Sequence, residues 1–271
     1  MSLHILDHLE QGSDEWHDAR RGIVTASVVG QLVAVGPPSP MTSPCVTCDA
    51  AAGEPCVSVA RKDRAPIKTM HPARIPAHDA PPTIEPAYTD TSIALTTLLA
   101  AERITGWSDP VFVTSDMLRG TLDEPIARDL YSQHYAPVAE VGFMVRDDWG
   151  FPIGYSPDGL VGDDGLIEIK SRRQKKHLQT ILRDEVPAEN VAQIQCGLLV
   201  SGRAWCDYVS FCGGMPLWTK RVYPDPAWHA AIVEAVEVFE STAADMVATY
   251  HTNTAGRPAT ERSTYDMDLV I

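Results

Sequence analysis

Ser156-Pro157-Asp158-Gly159, followed after a short turn by Leu166-Ile167-Glu168-Ile169-Lys170, is the stretch whose reading decides the fold. Side chains alternate along a strand, so Glu168 and Lys170 project from one face and Ile167 and Ile169 from the other. The intervening Gly162-Asp163-Asp164-Gly165 is hairpin-turn chemistry. A fold there returns Gly159 to Val161 beside Leu166 to Lys170 and brings Asp158 near Glu168. Two converging carboxylates are hard oxygen ligands with an incomplete shell, suited to Mg²⁺ or Mn²⁺. A lysine two residues on can orient or deprotonate a water and offset charge on a phosphate. The spacing Asp, nine residues, Glu, one residue, Lys therefore implies a metal-dependent centre for phosphodiester cleavage. The alternative is a solvated hairpin whose charges decorate a surface.

At 271 residues and 44% hydrophobic, the chain can bury a full core, read as one domain with an insertion. It has no run of 18 apolar residues and no basic start followed by an apolar stretch, so neither a membrane span nor a secretory signal is expected. The expectation is a cytoplasmic location, the host bacterial cytoplasm if a phage encodes the chain, with reduced thiols. A formal net charge of −14 argues against coating DNA through bulk charge. Any DNA must meet a local basic patch, and Lys170-Ser171-Arg172-Arg173-Gln174-Lys175-Lys176-His177 supplies one that begins at the candidate catalytic lysine. Arg172 and Arg173 are accordingly candidate phosphate contacts, the alternative being a solvated loop.

Trp16 and Arg20 share a helix face, and Thr25-Ala26-Ser27 reads as a cap before Val28, Val29 and Leu32. Residues 37–86 are proline-rich without sustained periodicity and read as an irregular insertion. Helices are expected over 93–104 and 115–135, the second kinked or restarted at Pro125 beside Glu124. Ala188 to Val200 has helical spacing. Tyr208 to Phe211 and Leu217 to Tyr223 suggest strands, and Trp228 to Tyr250 a long helix burying Ile232, Val236, Phe239, Ala243, Met246 and Tyr250. The expected division is a nuclease domain over 1–250, a small inserted element over 37–86 that holds Cys45, Cys48 and Cys56, and a flexible tail over 251–271.

The Asp158–Glu168–Lys170 spacing is the PD-(D/E)xK pattern. Three further blocks flank it in order: Glu10-Gln11-Gly12-Ser13-Asp14-Glu15-Trp16-His17 continuing to Arg20, Gly22 and Thr25-Ala26-Ser27; Gly120 with Glu124 and Ala127-Arg128; and Ala192-Gln193-Ile194-Gln195 then Trp205. With the hairpin they resemble the bacteriophage lambda exonuclease family, the YqaJ-like viral recombinases, over most of the chain. The resemblance implies an α/β fold, a mixed central sheet flanked by helices around a restriction-endonuclease-like core. It implies 5′ to 3′ digestion of double-stranded DNA ends that leaves a 3′ single-stranded overhang. Carried over by position, Asp158 and Glu168 would bind the metal with the Ile169 carbonyl as a further ligand, and Lys170 would serve the attacking water. Glu124 and Gln193 would complete the catalytic rim, while Arg20, Ser27 and Ser156 would hold the terminal 5′-phosphate. The resemblance also implies a homo-oligomeric ring, such as a trimer, and a single-strand annealing protein as partner. Arg20 could instead pair with Glu15 or Asp18, Glu124 could cap a helix, and Gln193 could be an ordinary polar position; Trp16 and Trp205 are read as core. A structure-specific or flap endonuclease on the same fold, and a nonenzymatic DNA-end-binding module, are the competing functions.

The insertion departs from that family. Cys45-x2-Cys48-x7-Cys56 followed by His71 supplies three soft ligands and one imidazole in a segment too short and polar to hold a core. Such a set suits a closed, tetrahedral structural Zn²⁺ site, and the phrase resembles a small zinc-binding element of actinobacterial and actinophage proteins. His78 is the rival fourth ligand, and Arg61, Lys62, Arg64, Lys68 and Arg74 make the element locally basic. Cys196, Cys206 and Cys212 are too dispersed for the iron–sulfur cluster of some related nucleases.

Overall fold

The structure, a computed structural model, describes residues 2–110 and 112–262. The N-terminal part runs β1 (Leu3–Leu6), α1 (Asp14–Arg20), β2 (Val24–Thr25), α2 (Ala26–Val29), β3 (Val33–Pro38) and β4 (Pro82–Pro86). Then come α3 (Asp90–Thr105), α4 (Ser115–His134), β5 (Val138–Ala139), β6 (Phe143–Arg146) and β7 (Ile153–Tyr155). The hairpin strands are β8 (Gly159–Val161) and β9 (Gly165–Ser171), followed by α5 (Gln174–Arg183), α6 (Ala188–Ser201), β10 (Trp205–Phe211), β11 (Trp218–Val222) and α7 (Pro226–Thr254).

Five strands form a mixed sheet in the order β11-β10-β9-β8-β5, parallel only between β9 and β10. Four others form a second sheet, β1-β6-β7-β2. Alternation along β9 splits the core as the sequence pattern requires: Leu166 joins the main core with Tyr208, Ile194 and α7. Ile167 and Ile169 face the other way, onto Ala127 and Tyr131 of α4. Residues 156–158 carry the chain from β7 in one sheet to β8 in the other, so the candidate site lies where the two sheets meet.

Local differences from the sequence reading have physical causes. Pro125 stands inside one helix rather than dividing it; buried Ala127 and Tyr131 anchor the following turns. The insertion is gathered at its ends by the antiparallel β3–β4 ribbon, which its prolines conceal in sequence. In α7, residues 251–254 continue the helix rather than opening the tail. The Thr252 and Thr254 hydroxyls bond the carbonyls of Ala248 and Tyr250 at 3.0 and 2.8 Å, and a solvated last turn needs no apolar period. Tyr250 is largely exposed, not part of the buried stripe. The rest of the expected tail, residues 263–271, lies outside the described residues. No helix among the described residues is long and apolar enough to cross a membrane.

Candidate active site

The β8–β9 hairpin pairs Gly159 with Ile167, which sets Asp158 across from Glu168. Gly159 is required there, since a Cβ would lie 2.2 Å from Val138 Cγ1. Asp158 Oδ2 accepts the Ile169 backbone N–H at 2.6 Å. Glu168 is wholly buried, and its Oε1 accepts from Lys170 Nζ at 2.7 Å and from Gln193 Nε2 at 2.6 Å. The buried Tyr155 hydroxyl donates weakly to its Oε2 at 3.5 Å. Gln193 reaches this point because α6 lies hard against Tyr155: a Cβ on Gly197 would sit 2.7 Å from that ring.

Burial, reinforced by the neighbouring Glu168, raises the Asp158 carboxyl well above the usual carboxylate range. Burial also raises Glu124, against the pull of Arg128, whose guanidinium it accepts from along the same helix. For Lys170, burial opposes charge, but Glu168 and Asp158 outweigh it and hold the ammonium above its ordinary range. A lysine held so firmly charged is suited to orienting a nucleophile and screening a phosphate rather than to accepting a proton. The surplus of acid in a buried cleft is the electrostatic setting in which a hard cation is stabilising.

One cavity of 580 Å³ joins this cluster to the N-terminal block, lined by Glu124, Asp158, Ile169, Lys170 and Gln193 together with Arg20, Ser27 and Ser156. Arg20 donates to Ser27 Oγ at 3.1 Å, Ser156 Oγ at 3.4 Å and Thr25 Oγ1 at 3.5 Å. None of these partners is a carboxylate; Asp18 pairs instead with Arg21. Burial lowers the Arg20 guanidinium to about 10, leaving it charged at neutral pH, and its hydrogen-bond partners among the described residues are hydroxyls. The Thr25 side chain makes no capping bond to α2, because its hydroxyl meets Ser27 Oγ at 3.0 Å and faces Arg20.

Trp16 is buried as its sequence context suggests, but it also works in the site. Its Nε1 donates to Ser156 Oγ at 2.9 Å and its ring lies 3.8 Å beneath the Arg20 guanidinium. Neither this bond nor the part of Thr25 has a local sequence signal; both arise from segments more than a hundred residues apart or from an unused cap. Arg172 and Arg173 lie outside the cavity. Arg172 is mostly buried and donates to Asn190 and to the Tyr208 hydroxyl. Arg173 is exposed and shares Asp116 with Arg119, a residue the sequence did not single out.

In the insertion, the ligand atoms of Cys45, Cys48, Cys56 and His71 all lie within 4.8 Å of one another. His71 Nδ1 approaches Cys45 Sγ at 3.5 Å, whereas His78 is exposed and pairs with Asp79. Burial pushes the Cys45 thiol up, but hydrogen bonds from Thr47, Cys48 and His71 prevail and bring it down to about 6, towards the thiolate that binds metal. Three thiols and an imidazole at this separation fit zinc. Arg74 is buried beneath the cluster rather than displayed to a partner, and Arg64 donates to the Cys48 carbonyl.

A mixed α/β core with buried Asp158 and Glu168 and with Lys170 in one cleft defines a nuclease of the PD-(D/E)xK class. Residues 68–204, half the chain, match the YqaJ-like viral recombinase domain, and the chain belongs to that family. Residues 11–89 match a second family, described as "Putative DNA-binding phage zinc finger domain". Among solved structures, the chain is similar to an alkaline exonuclease (LHK-Exo) from Laribacter hongkongensis, at 26% identity with 90% of this chain and 98% of that one covered and a TM-score of 0.65. The structure of LHK-Exo in complex with dAMP matches at 27% identity with the same coverage and TM-score. No curated protein gave a significant sequence match.

Proposed function

We propose that this nuclease is an exonuclease on linear double-stranded DNA, dependent on Mg²⁺ or Mn²⁺, that digests 5′ to 3′ and leaves 3′ single-stranded overhangs. The observation that carries the reading is that one cavity is lined both by a carboxylate–lysine cluster and by Arg20 with the hydroxyls of Thr25, Ser27 and Ser156 that it bonds. A fork of guanidinium donors with short hydroxyls suits a terminal phosphate. The cleavable bond then falls at a fixed remove from a bound end, the requirement for exonucleolytic action. The similar solved structure is an alkaline exonuclease, known also in complex with dAMP, and this supports a DNA substrate.

Asp158, Glu168 and the Ile169 carbonyl would hold the divalent ion; the hard-oxygen donors fit that role, and a bound cation would offset the burial and the repulsion from Glu168 that raise the Asp158 carboxyl. Bound there, the ion supplies Lewis-acid polarisation of the phosphate and of the attacking water. Lys170, fixed by Glu168, orients the water and screens the developing charge. Gln193 keeps Glu168 from rotating, and Glu124 closes the rim from α4. Arg20, Ser27 and Ser156, with Trp16 and Thr25 fixing their geometry, hold the 5′-phosphate. Cys45, Cys48, Cys56 and His71 would hold a structural zinc that supplies folding free energy to residues 39–81. Exposed Arg61, Lys62 and Lys68 are left to meet DNA. Family resemblance supports a homo-oligomeric ring, such as a trimer, acting with a single-strand annealing protein in phage-type recombination in a bacterial cytoplasm.

The test is incubation of linear and closed-circular duplex with the protein in Mg²⁺ or EDTA, beside Lys170→Met. Mg²⁺-dependent loss of the linear form alone, abolished by Lys170→Met, is expected. Cutting of the circle would mark an endonuclease, and binding without cleavage a DNA-end-binding module.

A further inference from the structure

Gly120 stands inside the 20-residue helix α4, more than a turn from either end. Glycine is among the poorest residues for a helix interior, because it surrenders the most backbone freedom on folding. Elsewhere in this protein the glycines of regular elements have packing reasons: a Cβ would lie 2.3 Å from the Phe143 ring at Gly154, 2.2 Å from the Trp205 ring at Gly165, and 2.7 Å from the Tyr155 ring at Gly197. At Gly120 a Cβ would meet nothing within 4 Å, and its φ is not in the left-handed region. The protein's own packing and backbone therefore give no reason for the missing side chain.

What Gly120 does face is the nuclease cavity, which α4 lines with Asp116, Met117, Gly120 and Glu124 and to which Asp158 and Lys170 also contribute. Met117, Gly120 and Glu124 are three and four residues apart, as are Asp116, Gly120 and Glu124 at intervals of four, so Gly120 lies on the cavity-facing side of the helix. We infer that Gly120 is a contact-distance wall for the DNA strand being cleaved, its bare backbone admitting the strand to within reach of Asp158 and Glu124. The inference rests on the exonuclease reading above and adds a residue that determines how the substrate is seated. Asp116 and Glu124 on either side are already paired, with Arg119 and Arg173 and with Arg128 respectively, so the sugar edge of the strand would lie against the glycine, with Met117 extending the uncharged surface. A methyl group there displaces the strand by about 1 Å or more from the reacting centre, a misplacement that costs on the order of 100-fold in rate.

The experiment compares wild type, Gly120→Ala and Gly120→Leu by thermal denaturation and by steady-state digestion of a linear duplex in Mg²⁺. The two properties are expected to move in opposite directions. Both variants melt about 2 °C or more above wild type, since a better helix former meets open space. Duplex kcat/KM falls about 10- to 100-fold in Gly120→Ala and further in Gly120→Leu. Unchanged digestion by either variant would overturn the inference while leaving the exonuclease reading intact, and so would lower melting temperatures in both, which would assign the glycine to packing. A wild-type protein that does not digest the duplex would instead remove the exonuclease reading, and this inference with it.

Discussion

Replacing Arg74 with Met should weaken zinc binding by the insertion without disturbing the nuclease core. Arg74 is 2% exposed and donates to the carbonyls of Ser43 at 2.9 Å, Glu54 at 2.7 Å and Ala51 at 2.8 Å, with longer contacts to Met41 and to Cys56 Sγ. Hydrogen bonds from a charged donor contribute roughly 1.5–3 kcal/mol each. With three good bonds partly replaced by water, the loss is about 4 kcal/mol. The element's own apolar core is little more than Cys45, Cys48, Ala50 and Cys56 with Val57 and Ile67, too small to absorb that loss unaided. A structural zinc site contributes on the order of 10 kcal/mol, so the variant still folds at saturating zinc but binds the ion about 1,000-fold more weakly. Chelator competition measures the affinity, and limited proteolysis across residues 39–81 reports local unfolding. Equal zinc affinity in the two proteins would refute the reasoning.

Asp158→Asn should raise the melting temperature in EDTA, because it removes one of two adjoining buried carboxylates, and should abolish both the Mg²⁺-induced rise in melting temperature and cleavage; a fall in EDTA would contradict the electrostatic account. Asp207→Asn should cost about 2 kcal/mol and lower the melting temperature by roughly 4–8 °C, since Asp207 accepts from Tyr131 at 2.6 Å and from both arms of Arg221 at 2.8 and 2.9 Å; calorimetry reads the shift directly. Arg20→Lys should keep cleavage but reduce the preference for 5′-phosphorylated over 5′-hydroxyl ends about 10-fold, measured as the ratio of kcat/KM on the two substrates.

The β8–β9 hairpin that gathers the candidate catalytic residues and the cysteine cluster could be read from sequence because each is local. Strand alternation separates Glu168 and Lys170 from Ile167 and Ile169, and a glycine–aspartate turn returns Asp158 to them. The Arg20 pocket was only partly legible. Its residue types are visible, but Trp16 Nε1 reaches Ser156 across 140 positions, and Thr25 serves Arg20 instead of capping α2. Within the basic run after β9, Arg172 points into Asn190 and Tyr208, a direction set by tertiary packing, while Arg173, Lys175 and Lys176 are exposed. Pro125 predicts an interruption that the anchoring of Ala127 and Tyr131 overrides, and the openness around Gly120 has no expression in sequence at all.

The most direct test of the account uses a linear duplex carrying distinct labels on its two strands, with 5′-phosphate or 5′-hydroxyl ends, incubated in Mg²⁺ with products resolved by strand. The account predicts loss of each strand from its 5′ end, faster from phosphorylated ends, leaving 3′ overhangs. Digestion from the 3′ ends, or equal rates on both kinds of end, would contradict it.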